Sequence, residues 1–402
     1  ATPQLRLERL LREQEVAIGL LVSEQAVRLV YAPRGESTGH ITFPLAFMME
    51  PAGRPVMAAF LALLCDERVI GVGAEENQLA LMQKSREFQN EVSEQLAQQV
   101  LGALHALVRG IQAADERSGQ TLLRAVLEED PQHIYGGLLA VLLRLVFLLY
   151  AEDRGLLPGD GVYTRHYSVH ALFERLRADA AMHPDTMDQR FGAWAQLLTV
   201  FRLVHGGAFW GEEAMPPRRG HLFNPDTYAF LEGRLEGSHA SRHQRFDPPK
   251  VSDGVVLDVL RALLMLGDER LSYRTLDVEQ IGSVYEYMMG FELERSTGAT
   301  IAIKAGKVPV FIDLDELVES DKARKHLEGE YGIKVSTKVG KALGSADDHH
   351  EIVEALGKKI HEITPAPLPP GSLYLQPGEE RRKSGSHYTP RELTAPIVEH
   401  TL

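Results

Sequence analysis

The chain has 402 residues, enough for two or three domains that each bury a core, and 44% of them are apolar. Its formal charge of −13 is not that of an obvious nucleic-acid binder. The acidity sits at the front: residues 1–300 carry 29 Lys and Arg against 40 Asp and Glu, and the rest carry 14 against 16, so a DNA-facing surface is expected at the back. A single cysteine, Cys65, excludes an internal disulfide and a cysteine-rich zinc site, and fits a reducing cytosol.

Leu5, Leu7, Leu10 and Leu11 mark a short amphipathic helix over residues 5–14. Strand-like runs follow over 16–22 and 26–31, joined in hairpin manner by Ser23-Glu24-Gln25, and a third strand is expected over 40–45. From Pro55 to about Gly290 the periodicity is helical. Segments are expected over 56–65, 77–114, 121–129, 138–151, 169–181, 188–205, 227–232, 252–266 and 278–289, which argues for an all-α bundle. The most apolar run, 138–150, falls short of the roughly 20 residues that span a bilayer, and reads as a buried helix. Gly155 is a natural C-cap for it and Pro158 a stop. The first residues place no apolar core behind a basic flank, so nothing there reads as a secretory signal.

Four features along this stretch invite chemistry. Glu152, Asp153 and Arg154 suggest acid–base work, but neighbouring residues on a helix point apart, so a salt bridge at the helix end is expected instead. His239 and His243 have a metal-binding spacing without a carboxylate between them, and read as solvated loop histidines; no metal site is expected. In the same loop, Arg242 and Arg245 are candidates for contact with DNA phosphate. Asp247-Pro248-Pro249-Lys250 reads as a turn into the next helix. After Leu293 the texture changes to strands over 300–304 and 308–313, then to lysine-rich helices over 315–328 and 346–360. The charge of these helices suits a surface resting on DNA or on another domain, and equally an ordinary solvated face. Residues 364–371, rich in proline, form a stiff, extended linker.

The chain then runs through Arg381-Arg382-Lys383-Ser384-Gly385-Ser386-His387-Tyr388-Thr389-Pro390 into a helix marked by Leu393, Ile397 and Val398. Pro390 suits the first helical turn, and free N–H groups beside a small-residue loop suit an anionic ligand; an ordinary capped surface helix fits the same residues. This segment resembles motif X of amino-methylating DNA methyltransferases, whose catalytic domain opens with Ser-Gly-x-x-Tyr-Thr-Pro and a helix. Three further stretches resemble the spacer of large adenine-specific methylases from type IIG-like restriction-modification and from the BREX and DISARM phage-defence systems. They are LVFLLYAEDRGLLP (145–158), HLFNPDTYAFLEGR (221–234) and QIGSVYEYMMGFEL (280–293).

The resemblance implies a mainly α fold with smaller α/β parts, in which a helical spacer bundle separates a partial N-terminal α/β module from the start of a class I, Rossmann-like methyltransferase domain. The implied division is 1–55 for a nuclease-like remnant, 56–293 for the spacer, 294–375 for a small α/β insertion with the linker, and 376–402 for the start of the methyltransferase domain. It implies transfer of methyl from S-adenosylmethionine to the adenine amino group of double-stranded DNA, in the cytoplasm, without a membrane, alongside other subunits of a defence system. His387, Tyr388, Thr389 and Pro390 are then one wall of the cofactor pocket. Arg381, Arg382 and Lys383 meet DNA phosphate or the cofactor, or are solvated. The catalytic Asp/Asn-Pro-Pro-aromatic tetrad and the glycine-rich cofactor turn do not occur in these 402 residues, so this chain alone is expected to be inactive, with no catalytic residue of its own. Two other readings stay open: a helical scaffold without a methylase, and a nuclease whose centre precedes Ala1. No Asp-x-Lys, Glu-x-Lys or Gln-x-Lys triplet of a metal-dependent nuclease core is present in the chain.

Overall fold

The computed structural model describes residues 3–34, 38–65, 68–69, 77–158, 161–210, 213–240, 246–267, 269–273, 278–305, 308–319 and 323–378. They are mainly α-helical with small antiparallel sheets, and they divide into two units, one within Ala1–Ser93 and one within Glu94–His387.

In the first unit, helix α1 (Pro3–Glu13) precedes an antiparallel sheet of β1 (Ile18–Val22), β2 (Ala26–Tyr31) and β3 (Gly39–Pro44), in that order. The period of two along β2 gives each face its own cover. Val30 packs with Leu11 of α1, while Leu29 and Phe43 pack with Met48 of α2 (Leu45–Met48) and with Val56, Met57 and Phe60 of α3 (Arg54–Leu64). The Phe43 and Phe60 rings meet edge to face at 5.3 Å.

The second unit takes the long helix α4 (Gln78–Arg117) from Glu94 onward, followed by α5 (Arg124–Glu129) and α6 (Pro131–Asp153). Helix α6 begins before the apolar run because Asp130 caps it, accepting the Gln132 N–H at 3.0 Å, and Pro131 fills the first turn. It ends as its sequence suggests: Gly155 adopts φ +65°, and the Leu156 N–H closes back on the Ala151 carbonyl at 2.8 Å. By length and composition α6 is apolar enough to cross a membrane, but 78% of its apolar window is buried inside the protein, and it is the core helix of this unit.

Around it lie α7 (Val162–His166), α8 (Val169–Met182), α9 (Ala193–Gly206), the hairpin strands β4 (Ala208–Trp210) and β5 (Glu213–Met215), and α10 (Asp253–Leu264). Two short strands, β6 (Met265–Leu266) and β7 (Glu269–Arg270), lead to α11 (Val278–Met289) and β8 (Phe291–Arg295). The single helix expected over 188–205 is in fact a 3₁₀ turn, Pro184–Gln189, followed by α9. The buried Asp253 carboxylate explains the break. It accepts the Ala193 N–H at 2.8 Å, while the Asp253 N–H donates to the Arg190 carbonyl at 2.9 Å, so two helix starts cap each other.

Beyond β8, strands β9 (Thr300–Ala305) and β10 (Val308–Asp313) pair antiparallel, as expected. The segment expected as one helix over 315–328 forms two, α12 (Leu314–Glu319) and α13 (Ala323–Glu330), and α14 (Thr337–Leu343) and α15 (His349–Leu356) follow. Strand β11 (Leu373–Pro377) then returns to pair with β8, with Leu373 opposite Arg295. The Ser296 N–H donates to the Ser372 carbonyl at 2.8 Å, and the Ser372 N–H to Ser296 Oγ at 2.8 Å. Residues 297–371 are therefore inserted into a two-stranded ladder, with their two ends side by side. They own a core of Ile301, Ile303, Val310, Ile312, Leu327 and Ile352 among others. The proline-rich stretch expected as a linker is stitched to β9: Thr364 Oγ1 accepts the Ala302 N–H at 2.8 Å, and Leu368 bridges Thr300.

Candidate functional site

Helix α6 contains most of the stretch 145–158 and holds the other two spacer stretches with its polar side chains. Near its start, Gln132 Oε1 accepts the Leu293 N–H at 3.1 Å and Gln132 Nε2 donates to the Leu293 carbonyl at 3.0 Å, so one side chain continues the ladder of β8. The Tyr135 hydroxyl donates to the Met288 carbonyl at the end of α11. Between them these fix the stretch 280–293. One turn further on, Gly136 and Gly137 leave room for the aromatic residues of the stretch 221–234. A Cβ at Gly137 would lie 2.6 Å from Phe230 Cζ, and one at Gly136 would lie 2.9 Å from the Tyr228 hydroxyl.

Arg144 is buried and completes that contact, donating to the Leu222 carbonyl at 2.6 Å and the Asn224 carbonyl at 3.3 Å, with its guanidinium over the Phe201 ring. Burial pushes Arg144 down to about 10, with the Glu232 carboxylate pulling the other way. It stays a cation at neutral pH.

The carboxylates at the end of α6 are hydrogen-bond acceptors for the next helix. Glu152 accepts from the Tyr163 hydroxyl, Ser168 Oγ and the Val169 N–H, each at 2.8 Å, and from the His170 N–H at 3.2 Å. It thereby neutralises the N-terminus of α8. Asp153 pairs with His170 Nε2 at 2.9 Å and accepts the Tyr273 N–H at 2.7 Å. Of the salt bridge expected for this triplet, the structure shows the Asp153–His170 hydrogen bond, which is ionic only with a protonated ring; the four donors on Glu152 were not legible in the letters.

A second network clamps residues 225–240. Glu232, 3% exposed, receives Arg202 through two bonds of 2.6 Å and Arg234 at 2.7 Å. Arg234 also donates to the Pro225 and Ser238 carbonyls, at 2.6 and 2.8 Å, and to Asp226 at 3.0 Å. Burial alone would raise Asp226, but the Ala240 N–H, His239 and Arg234 outweigh it and hold its carboxyl low. His239 is exposed and rests on Asp226, as a loop histidine; among the described residues no group of three His, Cys, Asp or Glu side chains is arranged to hold a metal ion. Val251 and Ser252 follow Asp247-Pro248-Pro249-Lys250 directly, and Ser252 Oγ caps α10, so that tetrapeptide is the turn into a helix that was expected.

Strand β11, which leads toward the Tyr-Thr-Pro segment, is held from two sides. Gln112 Oε1 on α4 accepts the Leu373 N–H at 2.8 Å. Gln376 reaches across to β10, accepting the Phe311 N–H at 2.9 Å and donating to its carbonyl at 3.0 Å. Phe311 stacks on Tyr374 at 4.7 Å and on His105 at 5.8 Å. His105 is buried with Nε2 unbonded, and burial, then the Arg109 and His361 charges, push it down to about 3.

His387, Tyr388, Thr389 and Pro390, expected at the cofactor, lie outside the described residues, as do Arg381, Arg382, Lys383, Arg242 and Arg245. Glu152, Asp153, Asp226 and Glu232, within the spacer stretches, accept from several structural donors, which suits them to holding segments in place. Sequence reasoning missed Gln132, Tyr135, Gln112 and Gln376; the one signal available was a lone polar residue beside an apolar run. Compared with family models, curated proteins and solved structures, the chain matches none.

Proposed function

We propose that this chain is the front and spacer portion of a site-specific DNA adenine methyltransferase of a restriction-modification or phage-defence system, working in the cytoplasm with partner subunits. S-adenosylmethionine is the methyl donor and the adenine amino group of duplex DNA the acceptor. The reading rests on one observation: four stretches that resemble this family occur in the family's order, from Leu145 to Pro390. Its support from the fold is that the stretch 145–158 begins within α6 and two others are tied to that helix by Gln132, Tyr135 and Arg144, as parts of one spacer would be.

In this account the target base leaves the duplex, since its amino group cannot reach a methyl donor while stacked. S-adenosylmethionine would supply the methyl group to that nitrogen and leave as the neutral thioether, and catalysis would be positioning together with acceptors for the charge and the proton on nitrogen. Those acceptors belong to a tetrad that this chain lacks. By the resemblance, its own contribution would be one wall of the cofactor pocket, with His387, Tyr388, Thr389 and Pro390 as the residues that would hold the methionine end of the cofactor. Residues 1–55 are the remnant of a nuclease-like module, and the helical spacer over 56–293 sets its distance from the Rossmann-like domain.

The test is methyl transfer from labelled S-adenosylmethionine to duplex DNA, run on the natural gene product beside these 402 residues. Transfer by the longer product alone, yielding methylated adenine, is the expected result. No transfer by the natural product contradicts the reading in favour of a helical scaffold, and metal-dependent cutting without transfer reassigns the protein to the nucleases.

A further inference from the structure

Lysine is unevenly distributed in this chain. Of its 12 lysines, nine lie between Lys304 and Lys359, inside the insertion between β8 and β11; the remainder of the protein relies on arginine for most of its positive charge. Four of the nine line one open cleft of about 980 Å³ on the insertion. Lys304 comes from β9, Lys338 from α14, and Lys358 and Lys359 from the 3₁₀ turn Gly357–Lys359 that follows α15. That turn is sharp because Gly357 takes φ +46°, and Ile360 then bridges Ile303, which holds the lysine pair at the edge of β9.

All four side chains are exposed, and none has a carboxylate partner within 4.0 Å among the described residues. Two carboxylates, Glu351 and Glu354, also line the cleft, so its charge balance is positive by two. Glu351 is engaged in capping, its Oε2 accepting the Asp347 N–H at 2.8 Å. The carboxylates of the insertion are concentrated elsewhere: Asp313 and Asp315 accept the N–H groups of Gly298 and Ala299, and Glu316 faces His326 and Tyr331.

We propose that this cleft binds the phosphodiester backbone of nucleic acid, without reading its sequence. Unpaired lysines around an open trough match a chain of phosphates, because the ammonium is a flexible point charge with no preferred planar partner. The cleft lining contains no aromatic or arginine side chain, the residue types that anchor protein partners, and its apolar members, such as Val339 and Ala342, are small. A chain with a net charge of −13 thus carries a local cationic trough on a self-cored insertion. The proposal does not depend on the methylase reading, since backbone binding is measured without methyl transfer.

The experiment is titration of the full chain with a short fluorescent duplex by anisotropy at several salt concentrations. The quadruple variant Lys304→Gln, Lys338→Gln, Lys358→Gln, Lys359→Gln is expected to bind more weakly and to flatten the slope of log K against log salt by about 2 to 4, roughly 0.9 for each phosphate that is no longer neutralised. Lys250→Gln, outside the insertion, is expected to leave the slope unchanged. Glu351→Gln with Glu354→Gln is expected to tighten binding. If the quadruple variant does not fold, Lys358→Gln with Lys359→Gln carries the test, with a slope change of about 1 to 2. An unchanged slope in a folded variant overturns the proposal, and so does equal binding of polyglutamate at matched charge, which would assign the cleft to an acidic polypeptide.

Discussion

In the helical core, cations are arginines turned inward: Arg144 on two carbonyls, Arg234 on Glu232, Asp226 and two carbonyls, Arg202 on Glu232 and over the Phe246 ring at 4.1 Å. In the insertion they are lysines on the surface, without carboxylate partners around the cleft of Lys304, Lys338, Lys358 and Lys359. The guanidinium, planar and many-donored, is suited to crosslinking irregular backbone from within, whereas the ammonium on its flexible stem is suited to solvent and to diffuse anionic partners. One region thus uses charge to hold its own loops, and the other has charge left over for a ligand.

The sharpest way to break this contrast is at Glu232. Glu232→Ala takes the shared buried carboxylate from Arg202 and Arg234, leaving Arg234 only the Asp226 carboxylate, and a loss of about 3 to 5 kcal/mol in urea denaturation is expected, as for other broken buried pairs. Gly137→Ala drives a methyl into the Phe230 ring and should cost about 1 to 3 kcal/mol, with Phe230→Leu partly restoring stability in the double variant. Gln132→Ala strips both polar groups of Leu293 of their partner and should also cost about 1 to 3 kcal/mol. The four lysine substitutions lie at the small end, each expected within about 0.5 kcal/mol in stability. A lysine variant that unfolds the insertion would erase the distinction between the two regions.

The pH dependence sharpens it further. His105 is held down near 3 in the folded protein, chiefly by burial, against about 6.5 when unfolded, so the unfolded chain binds the extra proton between those values. Stability contributed by the neutral ring is fully present above about 6.5 and falls away as pH drops toward 3, at up to about 1.4 kcal/mol per pH unit. His105→Phe, which keeps a ring to stack on Phe311, should flatten that slope in denaturation curves recorded across the range.

Much of the element order was legible, because strand alternation at 16–45 and helical periodicity between 56 and 289 are local signals. Breaks within helices were not. Residues 188–205 are periodic throughout, yet Asp253, sixty positions away, caps Ala193 and interrupts them. The return of β11 to β8 was equally hidden, since 77 residues separate Arg295 from Leu373 and neither strand declares its partner. At the spacer stretches, the letters showed that Glu152 and Asp153 cannot act as a facing pair, but not which donors they serve. Gln132, Gln112 and Gln376 work through backbone groups of remote segments, and a glutamine carries no sign of that in sequence.

Whether Thr389 belongs to a cofactor wall, on which the methylase reading turns, is tested most directly by steady-state methyl transfer with the natural-length protein and its Thr389→Ala variant. Loss of a hydrogen bond to the charged methionine end predicts a KM for S-adenosylmethionine raised about ten- to a hundredfold, with the KM for DNA unchanged. Equal KM values for S-adenosylmethionine in the two proteins would contradict it.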